Sequence, residues 1–306
     1  MSRNIELSEE DIKKYIKAGS IAKNVREEVY RVVKPGTRLY DIAEYVENRI
    51  RELGGEPAFP TNISINDIAA HYTPSIDDRQ VIPDNSVVKI DLGVHVDGYI
   101  ADTAVTISFN PAYEPLLEAS EKALEKALDI IRPGIKLSEI GRVIEDTITS
   151  YGYKPIRNLM GHSIDRYLIH SGVSIPNYYE KSVETKLVDG VYAIEPFATN
   201  GVGLVGEGSV VTIFSLIGYR PRARLTSVEK KIVNWVWSTR KTLPFCERWL
   251  RHLAASVDGL RNAIGALIRR GLLHVYPILV EKKHGIVSQF EHTVVIYGRE
   301  VIVTTM

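Results

Sequence analysis

The chain has 306 residues, of which 44% are hydrophobic and 25% are charged, a composition that indicates a globular protein and excludes a disordered or fibrous one. Its 38 Lys and Arg residues balance its 38 Asp and Glu residues, so no global electric field favours nucleic acid or an anionic membrane surface. The longest mostly apolar stretch, residues 210–217, is far shorter than the roughly 18 residues of a membrane span, and we expect no membrane association.

The first predicted helix begins after Ser8, because Asp11 three residues later completes a capping box, and its amphipathic pattern runs to Val33. A Pro-Gly stop, a second helix and a Gly turn follow. The same unit recurs 98 residues later, since residues 33–57 and 131–155 align without a gap and are identical at 8 of 25 positions. The sequence therefore predicts an internal repeat, whose second copy begins with a helix over 116–131.

A strand follows each helical unit, at 87–92 in the first copy and at 191–197 in the second. An offset of 104 places Asp91 on Glu195, and a further comparison of 102–107 with 291–296 places Asp102 on Glu291. Acids that recur at repeat-related positions inside apolar strands indicate one shared site. The acids are 11 residues apart in the first copy (102 minus 91) and 96 apart in the second (291 minus 195), which implies about 85 inserted residues.

The first two acids lie in a predicted hairpin, because Asp97-Gly98 is a strong two-residue turn signal. With this turn, the residue numbers of cross-strand partners sum to 195. This register places Asp91 and Asp102 diagonally on one face of the hairpin, about 7 to 8 Å apart at the backbone. We expect Gly93 to leave room between the two carboxylates, which could then share a cation.

The four acids together predict a metal site. Burying four carboxylates without compensation would cost several kcal/mol each. No Lys or Arg occupies a matching repeat position on that face, so a divalent cation is the economical source of positive charge. Oxygen ligands favour harder ions, and one imidazole extends the choice to Mn, Fe, Co or Zn.

Three histidines are candidates for this site. His162 and His170 are eight residues apart, a spacing that strand alternation would place on one face, and His71 follows the first helical unit. Taken alone, each of the three is more often a buried structural histidine than a ligand. His95 shares the face of Asp91 but lies near the hairpin tip. The other histidines have no such support: His252, His274, His284 and His292.

The composition changes between 213 and 275, where the tryptophan-containing segments 229–239 and 244–253 indicate an inserted helical subdomain. Residues 220–271 contain 12 Lys and Arg and 3 Asp and Glu, a net charge of +9. A helix over 260–271 that leads into a strand over 272–280 is a weak winged-helix signal. Two interpretations stay open: a solvated basic face on a structural insert, or a surface that contacts ribosome or RNA.

Two further signals are rejected as functional. Gly201-Val-Gly203-Leu-Val-Gly206 matches the dinucleotide pattern Gly-x-Gly-x-x-Gly, but a strand pattern follows it instead of a helix. Cys246 lies in the inserted helical segment without a supporting motif, and we interpret it as a packed thiol. As the single cysteine it cannot form an internal disulfide, and with no N-terminal signal segment it predicts a cytoplasmic location.

Five short motifs occur in order: Ala-Ala-His-Tyr-Thr-Pro, Lys-Ile-Asp-Leu-Gly with Asp-Thr-Ala, Gly-His-Ser-Ile, Tyr-Ala-Ile-Glu and Gln-Phe-Glu-His-Thr. Together they resemble the methionine aminopeptidases over nearly the whole chain. The insert, with Thr-Leu-Pro-Phe-Cys-Glu-Arg-Trp-Leu, is similar to the type 2 subclass. Without the long charged N-terminal extension of the eukaryotic enzymes, the sequence resembles the archaeal form.

The resemblance implies the pita-bread fold, an α+β architecture of two curved antiparallel halves related by a pseudo-twofold axis, with flanking helices. Residues 1–212 and 276–306 would form this catalytic domain. Residues 213–275 would form the inserted, winged-helix-like helical subdomain.

The resemblance also implies a ligand set for two divalent ions, whose identity among Co, Mn, Fe and Zn stays open. Asp91 would chelate one ion, His162 and Glu195 would hold the other, and Asp102 and Glu291 would bridge them.

Further residues are implied to act on the substrate. Glu195 would shuttle a proton, while His71 and His170 would stabilise the tetrahedral intermediate and the leaving amide. Besides the two histidines, the residues implied to line the methionine pocket are Phe59, Ile169 and Tyr276.

We therefore expect a cytoplasmic, monomeric metallopeptidase that removes the initiator methionine of nascent proteins when the next residue is small. One alternative is a prolidase or aminopeptidase P of the same fold, although those enzymes usually carry a large domain before the repeat, where this chain has about 20 residues. The other is a non-catalytic module that binds ribosome or RNA through the basic insert. Relatives of that kind tend to lose metal ligands, and all five are present here.

Overall fold

A computed structural model of the chain describes residues 7–218 and 225–306. The helices are α1 Glu9–Val32, α2 Leu39–Glu52, α3 Glu114–Ile130, α4 Leu137–Ser150, α5 Ser227–Thr239, α6 Glu247–Leu250 and α7 Val257–Arg269. The strands are β1 Glu56–Pro57, β2 Asn62–Ile65, β3 Ile68–Ala70, β4 Val87–Val96, β5 Tyr99–Ser108, β6 Lys154–Pro155, β7 Met160–Ile164, β8 Ser174–Pro176, β9 Gly190–Ile194, β10 Phe197–Thr199, β11 Val205–Leu216, β12 Phe245–Cys246, β13 Leu273–Glu281, β14 Val287–Gln289, β15 His292–Tyr297 and β16 Glu300–Val303. Within these ranges, no helix is both long enough and apolar enough to cross a membrane.

The internal repeat is present in the fold. In each copy, two helices precede a short strand. β1 pairs with β4, which carries Asp91, and β6 pairs with β10, which begins two residues after Glu195. Pro57 pairs with Val94 in the first copy, and Pro155 pairs with Ala198 in the second. The short strands are thus offset by 98 residues (155 minus 57) and the long strands by 104 (198 minus 94), the two offsets found in the sequence.

The sheets of the two halves follow the same antiparallel plan. β4 has β5 along one edge, while β1 and β2 share the other. In the second half β9 and β10 together take the place of β4, with β15 and β14 along one edge and β7 and β6 along the other. The halves join where β5 meets Glu291, whose backbone N–H donates to the carbonyl of Ala104 at 3.1 Å. The pita-bread architecture is confirmed.

Helices cover one face of these sheets and leave the other for the site. α1 packs on β4 and β5, and α3 packs on α4, β10 and β14. Alternate residues of β4, such as Ile90 and Leu92, enter the main apolar core beneath the helices. Asp91 points to the opposite face, because side chains alternate along a strand. The capping box predicted for α1 is also present, with Ser8 and Asp11 each accepting the backbone N–H of the other.

The segment between β11 and β13 has its own apolar core. Side chains of α5, α6 and α7 pack together with the ends of these two paired strands. α7 leads directly into β13, as the pattern over 260–280 predicts. The predicted limits of the insert fall inside β11 and β13, and the division of the chain into 1–212 with 276–306 and 213–275 stays a prediction. Three cations counted in the basic insert lie outside the described residues: Arg220, Arg222 and Arg224.

The prediction of a helix throughout 244–253 was wrong at its start. Phe245 and Cys246 form strand β12, which pairs with Phe214 and Ile213 of β11. The α-helix in this segment covers only Glu247–Leu250. Pairing with β11 is a tertiary effect that overrides the local helical pattern.

Candidate metal centre

One cavity of about 340 Å³ collects every predicted site residue. These residues come from both halves of the repeat and from the segments that connect them. They are Phe59, His71, Asp91, Asp102, His162, Ile169, His170, Glu195, Tyr276 and Glu291.

The β4–β5 hairpin places the first two acids as predicted. Asp97 and Gly98 have φ of 53° and 90°, the left-handed pair typical of a two-residue turn. The register pairs Asp91 with Ala104 and Gly93 with Asp102, so the two acids are diagonal neighbours on one face.

The space above Gly93 is filled by an aromatic ring, which corrects the expectation that this glycine leaves room for the carboxylates. A Cβ atom at Gly93 would lie 2.3 Å from Cε1 of Phe59, well inside van der Waals contact. The glycine therefore admits Phe59 to the cavity wall beside Asp91 and Asp102.

Glu195 lies in a break between β9 and β10, not inside one strand over 191–197 as predicted. Pro196 causes the break, because it has no N–H to donate to the ladder. The pairs β9–β15 and β10–β14 nevertheless keep one register on either side of the break. Glu195 consequently lies opposite Glu291, which occupies the corresponding gap between β14 and β15.

The acids and one imidazole converge closely enough to share a cation. His162 Nε2 lies 3.5 Å from Glu195 Oε1 and 3.7 Å from Asp102 Oδ2. One ligand atom from each of Asp102, His162 and Glu291 lies within 4.8 Å of the others. Oδ1 of Asp91, Oδ1 of Asp102 and Oε1 of Glu291 are buried without a hydrogen-bond donor among the described residues. Such orphaned buried oxygens fit a bound cation.

The electrostatics of the cluster lead to the same conclusion. Burial raises the pKa of Asp91 to about 7. Burial and the charges of neighbouring carboxylates raise the pKa of Asp102, Glu195 and Glu291 well above the ordinary range. The amide of Gln289 donates to Glu291 Oε2 at 3.3 Å, but none of the described residues lining the cavity is Lys or Arg. A divalent ion bound by these oxygens would supply the missing positive charge.

His162 is suited to bind metal through a neutral imidazole, since burial lowers its pKa to about 3. The ring of His170 lies 4.4 Å from that of His162, centroid to centroid, and burial lowers its pKa to about 4. The predicted proximity of the two histidines is present, but strand alternation is not its cause. His170 lies beyond β7, after a reversal at which Asp165 bridges to Leu168.

His71 is held in an unusual backbone conformation at the edge of the cavity. Its φ of 67° is left-handed, which is uncommon for a residue other than glycine. Its backbone N–H donates to Asn62 Oδ1 at 2.8 Å, and its Nδ1 donates to the carbonyl of Pro277 at 3.1 Å. Burial lowers the pKa of His71, and the neutral ring therefore keeps an acceptor at Nε2.

Sequence reasoning missed several residues of this site. Asn62 pairs with Asp91 across β2 and β4, and Ile213 and Pro244 bring the start of the insert to the cavity wall. Gln289 could have been found from strand alternation, because it precedes Glu291 by two residues. No local signal marks Ile213 or Pro244, because only tertiary folding brings them to the cavity.

The rejected signals have structural explanations. Glu281 is buried in the Gly201–Gly203 loop, where its carboxylate accepts the N–H groups of Val202 at 2.6 Å and Gly203 at 3.2 Å. The glycine-rich loop thus surrounds an internal carboxylate instead of a phosphate. Cys246 is a buried thiol on β12, and burial raises its pKa to about 12, so it is not activated. His95 Nδ1 accepts the N–H of Gly98 at 3.1 Å and closes the hairpin turn outside the cavity.

Comparison with known proteins identifies relatives over nearly the full chain. The model of metallopeptidase family M24 matches residues 13–296. A methionine aminopeptidase of Saccharolobus solfataricus is 49% identical over 299 residues, which cover 98% of this chain and 99% of that protein. A methionine aminopeptidase of Methanocaldococcus jannaschii is 48% identical over 296 residues, covering 97% and 99%.

Solved structures share the fold at lower identity. A thermophilic Arx1 superimposes with a TM-score of 0.83 at 19% identity, covering 97% of this chain and 91% of its own. A methionine aminopeptidase from Thermotoga maritima gives 0.70 at 23% identity, covering 98% of each chain. A prolidase from Pyrococcus furiosus gives 0.61 at 19% identity and is covered over 64% of its length, against 98% of this chain.

Proposed function

The chain belongs to metallopeptidase family M24, and from this membership we propose that it acts as a methionine aminopeptidase, a metal-dependent hydrolase that removes the N-terminal methionine of nascent polypeptides. The observation that carries the proposal is the convergence of the four acids and His162 on one cavity. The relatives of 48–49% identity named above have this activity in their names and match over nearly their whole length. They favour this function over a prolidase, to which the likeness is one of fold.

We assign the metal ligands from both halves of the repeat. Asp91 would chelate one ion, His162 and Glu195 would hold a second, and Asp102 and Glu291 would bridge the two. The short distances from His162 Nε2 to Asp102 and Glu195 support this division, as do the orphaned oxygens of the acids. Stepwise return of Co, Mn, Fe or Zn after chelation would identify the preferred ion.

Bound divalent ions supply an activated water and polarise the scissile carbonyl. The protein's own residues then handle protons and orientation. Glu195, at the junction of β9 and β10, would take the proton released by the attacking water and pass it to the leaving amine. His71 presents a neutral Nε2 that can accept a hydrogen bond from the scissile amide N–H, because its Nδ1–H is committed to Pro277. His170, beside His162, would contact the substrate at the carbonyl side.

The apolar wall of the cavity would bind the methionine side chain. Phe59, Ile169 and Tyr276 supply the apolar surface predicted from the sequence, and Ile213 and Pro244 extend it. The free α-amino group of the substrate can coordinate a metal ion, which restricts the reaction to chain ends. We propose that the enzyme acts when the second residue of the substrate is small.

The remaining proposals concern partners and location. We propose a monomer that acts in the cytoplasm on newly made chains. Contact with the ribosome through the basic insert has weaker support, because several insert cations are already used within the fold. Arg240 and Arg248 are buried, and Arg261 pairs with Glu247 at 2.7 Å.

Ribosome contact is tested by cosedimentation of the protein with purified ribosomes at increasing salt. Binding that falls steeply with ionic strength, and that weakens in a Lys230→Ala Lys231→Ala variant of the exposed face of α5, would support an electrostatic contact. Absent or salt-insensitive binding would contradict an electrostatic contact between the insert and the ribosome.

The activity is tested with a Met-Gly peptide and a prolyl dipeptide assayed side by side. Chelation should abolish release of methionine, and stepwise return of each divalent ion should restore it and identify the preferred metal. Preference for the prolyl dipeptide would instead identify a prolidase. Absence of hydrolysis with every ion would favour a non-catalytic module.

Removal of one bridging acid should separate chemistry from folding. We expect Glu291→Ala to abolish hydrolysis and to lower the metal content measured by elemental analysis, because one bridging carboxylate is lost. The fold should persist, since the substitution removes a buried charge with an orphaned oxygen. Glu300→Ala, at an exposed acid on β16, is the matched control. Full activity of Glu291→Ala would refute the bridging role.

A further inference from the structure

A buried ion pair joins the insert to the repeat. Arg248 on α6 forms two parallel hydrogen bonds with Glu47 on α2, Nη1 to Oε2 at 2.9 Å and Nη2 to Oε1 at 2.7 Å. Both side chains are only 1% exposed. The indole N–H of Trp249 also donates to Glu47 Oε2, at 2.6 Å. Desolvation offsets most of the attraction within a buried pair, so stability alone does not account for it.

The pair holds two chain segments that carry residues of the cavity wall. Glu47 Oε1 accepts the backbone N–H of Thr61 at 3.2 Å, two residues after Phe59. Arg248 donates from Nε to the carbonyl of Pro74 at 2.9 Å and from Nη2 to Thr73 Oγ1 at 3.1 Å. The second segment begins at His71.

The conformation of His71 needs such an anchor. A left-handed φ of 67° at a non-glycine residue persists only where the surrounding contacts fix it from both sides. On the N-terminal side, the His71 N–H donates to Asn62. On the C-terminal side, the Tyr72 carbonyl accepts the N–H of Ile63 at 2.7 Å, and Arg248 then holds the side chain of Thr73 and the carbonyl of Pro74.

The second copy of the repeat shows the corresponding glutamate paired with residues outside the insert. Glu145 lies 98 residues after Glu47 (145 minus 47) and accepts the backbone N–H of Tyr179 at 2.8 Å. Its cation is Arg157 at 2.9 Å, whose side chain is 57% exposed. In the first copy, whose following loop carries His71, contact with the insert gives the glutamate a buried ion pair. In the second copy the cation of the corresponding pair lies at the surface.

We propose that Arg248, through its ion pair with Glu47, is a positioning residue that holds His71 in its strained conformation for contact with the substrate. Through this pair the insert supports a residue that contacts the substrate, and it does not affect the residues that would bind metal. This inference rests on the proposed function, because it assumes that His71 acts on the peptide.

The test is a double-mutant cycle between Arg248→Lys and His71→Ala, with kcat and KM measured on a Met-Gly peptide. Lys keeps the charge but cannot reproduce the guanidinium contacts. We expect Arg248→Lys to lower kcat/KM about tenfold or more in the native background and to cause little further loss when His71 is already Ala. Metal affinity by calorimetry should be unchanged in both variants. Arg157→Lys, in the repeat-related pair, should keep native kinetics.

A second variant protects the test against misfolding. Trp249→Phe keeps an aromatic side chain and removes the indole N–H that Glu47 accepts, and it should show the same dependence on His71 with a smaller loss. Equal losses with and without His71, or an equal loss in Arg157→Lys, would overturn the proposal. Failure of the proposed function has a different signature, because wild-type protein would then release no methionine, or His71→Ala would retain full activity.

Discussion

At the residue scale, the buried carboxylates set the pH response of the metal-free protein. Each of the four has a raised pKa in the folded chain, so its ionisation disfavours folding. For Asp91 the associated stability is fully present below its unfolded value of 3.8 and is lost as pH rises to about 7. Buried histidines such as His162 act in the opposite sense, because burial lowers their pKa and protonation below the ordinary value of 6.5 disfavours folding.

The contribution of Asp91 can be isolated by comparing wild type with Asp91→Asn after chelation. We expect the Asn variant to be the more stable protein at pH 8, because it has no buried charge there, and the difference in melting temperature to shrink towards pH 5. Divalent metal should reverse the order at pH 8, since only wild type has the full ligand set. A difference in melting temperature that does not change with pH would contradict a raised pKa for Asp91.

Gly93 shapes the part of the cavity wall that we propose to bind methionine, because it admits the ring of Phe59. Gly93→Ala would place a methyl group 2.3 Å from the present position of the Phe59 ring, and the ring must move. We expect a loss of about 1 to 3 kcal/mol in the free energy of unfolding from overpacking and a several-fold rise in KM for Met-Gly peptides. Gly206→Ala is the control, because its Cβ would be 3.8 Å from the nearest atom, in Lys282. An unchanged KM would show that the ring does not bind substrate.

At the scale of elements, Glu281 at the end of β13 organises two loops. Beyond Val202 and Gly203, its carboxylate accepts the N–H groups of Lys283 at 2.7 Å and Gly285 at 3.0 Å. Burial alone would raise the pKa of Glu281, but these four donors lower it. The ionised carboxylate of Glu281 therefore holds the two loops together through these hydrogen bonds.

Glu281→Gln should destabilise the fold by about 3 kcal/mol, because an amide offers one acceptor oxygen and brings its own donors towards backbone N–H groups. The measurement is urea unfolding at neutral pH, with Glu207→Gln at an exposed position of β11 as control. Since the pKa of Glu281 is lowered, its contribution should fade as pH falls below its unfolded value. Equal midpoints for the two variants would argue against this role.

Sequence reasoning succeeds at this scale where the signal is local or repeated. The turn at Asp97 and Gly98 fixed the hairpin register, and the two repeat offsets paired the acids correctly. It failed where long-range pairing decides, as in β12, where pairing with β11 displaced a predicted helix. The break at Pro196 was readable from the sequence, because proline cannot continue a ladder.

The substrate wall was the least predictable part of the site. Ile213 and Pro244 are distant in sequence from the acids and become neighbours only through the path of the insert. The contact between Glu47 and Arg248 is likewise invisible in either local sequence, although the alignment of the two copies places Glu47 on an identical residue, Glu145.

At the scale of the whole molecule, the site lies on the seam between the two halves. Asp91 and Asp102 belong to the first copy, whereas His162, Glu195 and Glu291 belong to the second. Beside the acids, Ala104 and Glu291 form a β-bridge with backbone bonds of 3.1 Å and 3.4 Å, and further backbone bonds between the halves join Val287 to Asn66 at 3.1 Å and Tyr167 to Gly98 at 2.8 Å. Without metal, an acid that ionises at this seam meets the negative charge of its neighbours. We expect a bound metal ion to let the same groups hold the halves together.

Hydrogen exchange should therefore locate the effect of metal removal at the seam. Saturation at 100 times the dissociation constant stabilises a folded protein by about 2.7 kcal/mol per site, and this stabilisation is lost on chelation. We expect amide exchange to accelerate in β5, β9 and β15, which carry or flank the acids. The separate core of α5, α6 and α7 should change little, because its apolar cluster does not include the ligands. Equal acceleration in that cluster would mean that metal stabilises the chain globally and does not act at the junction of the two halves.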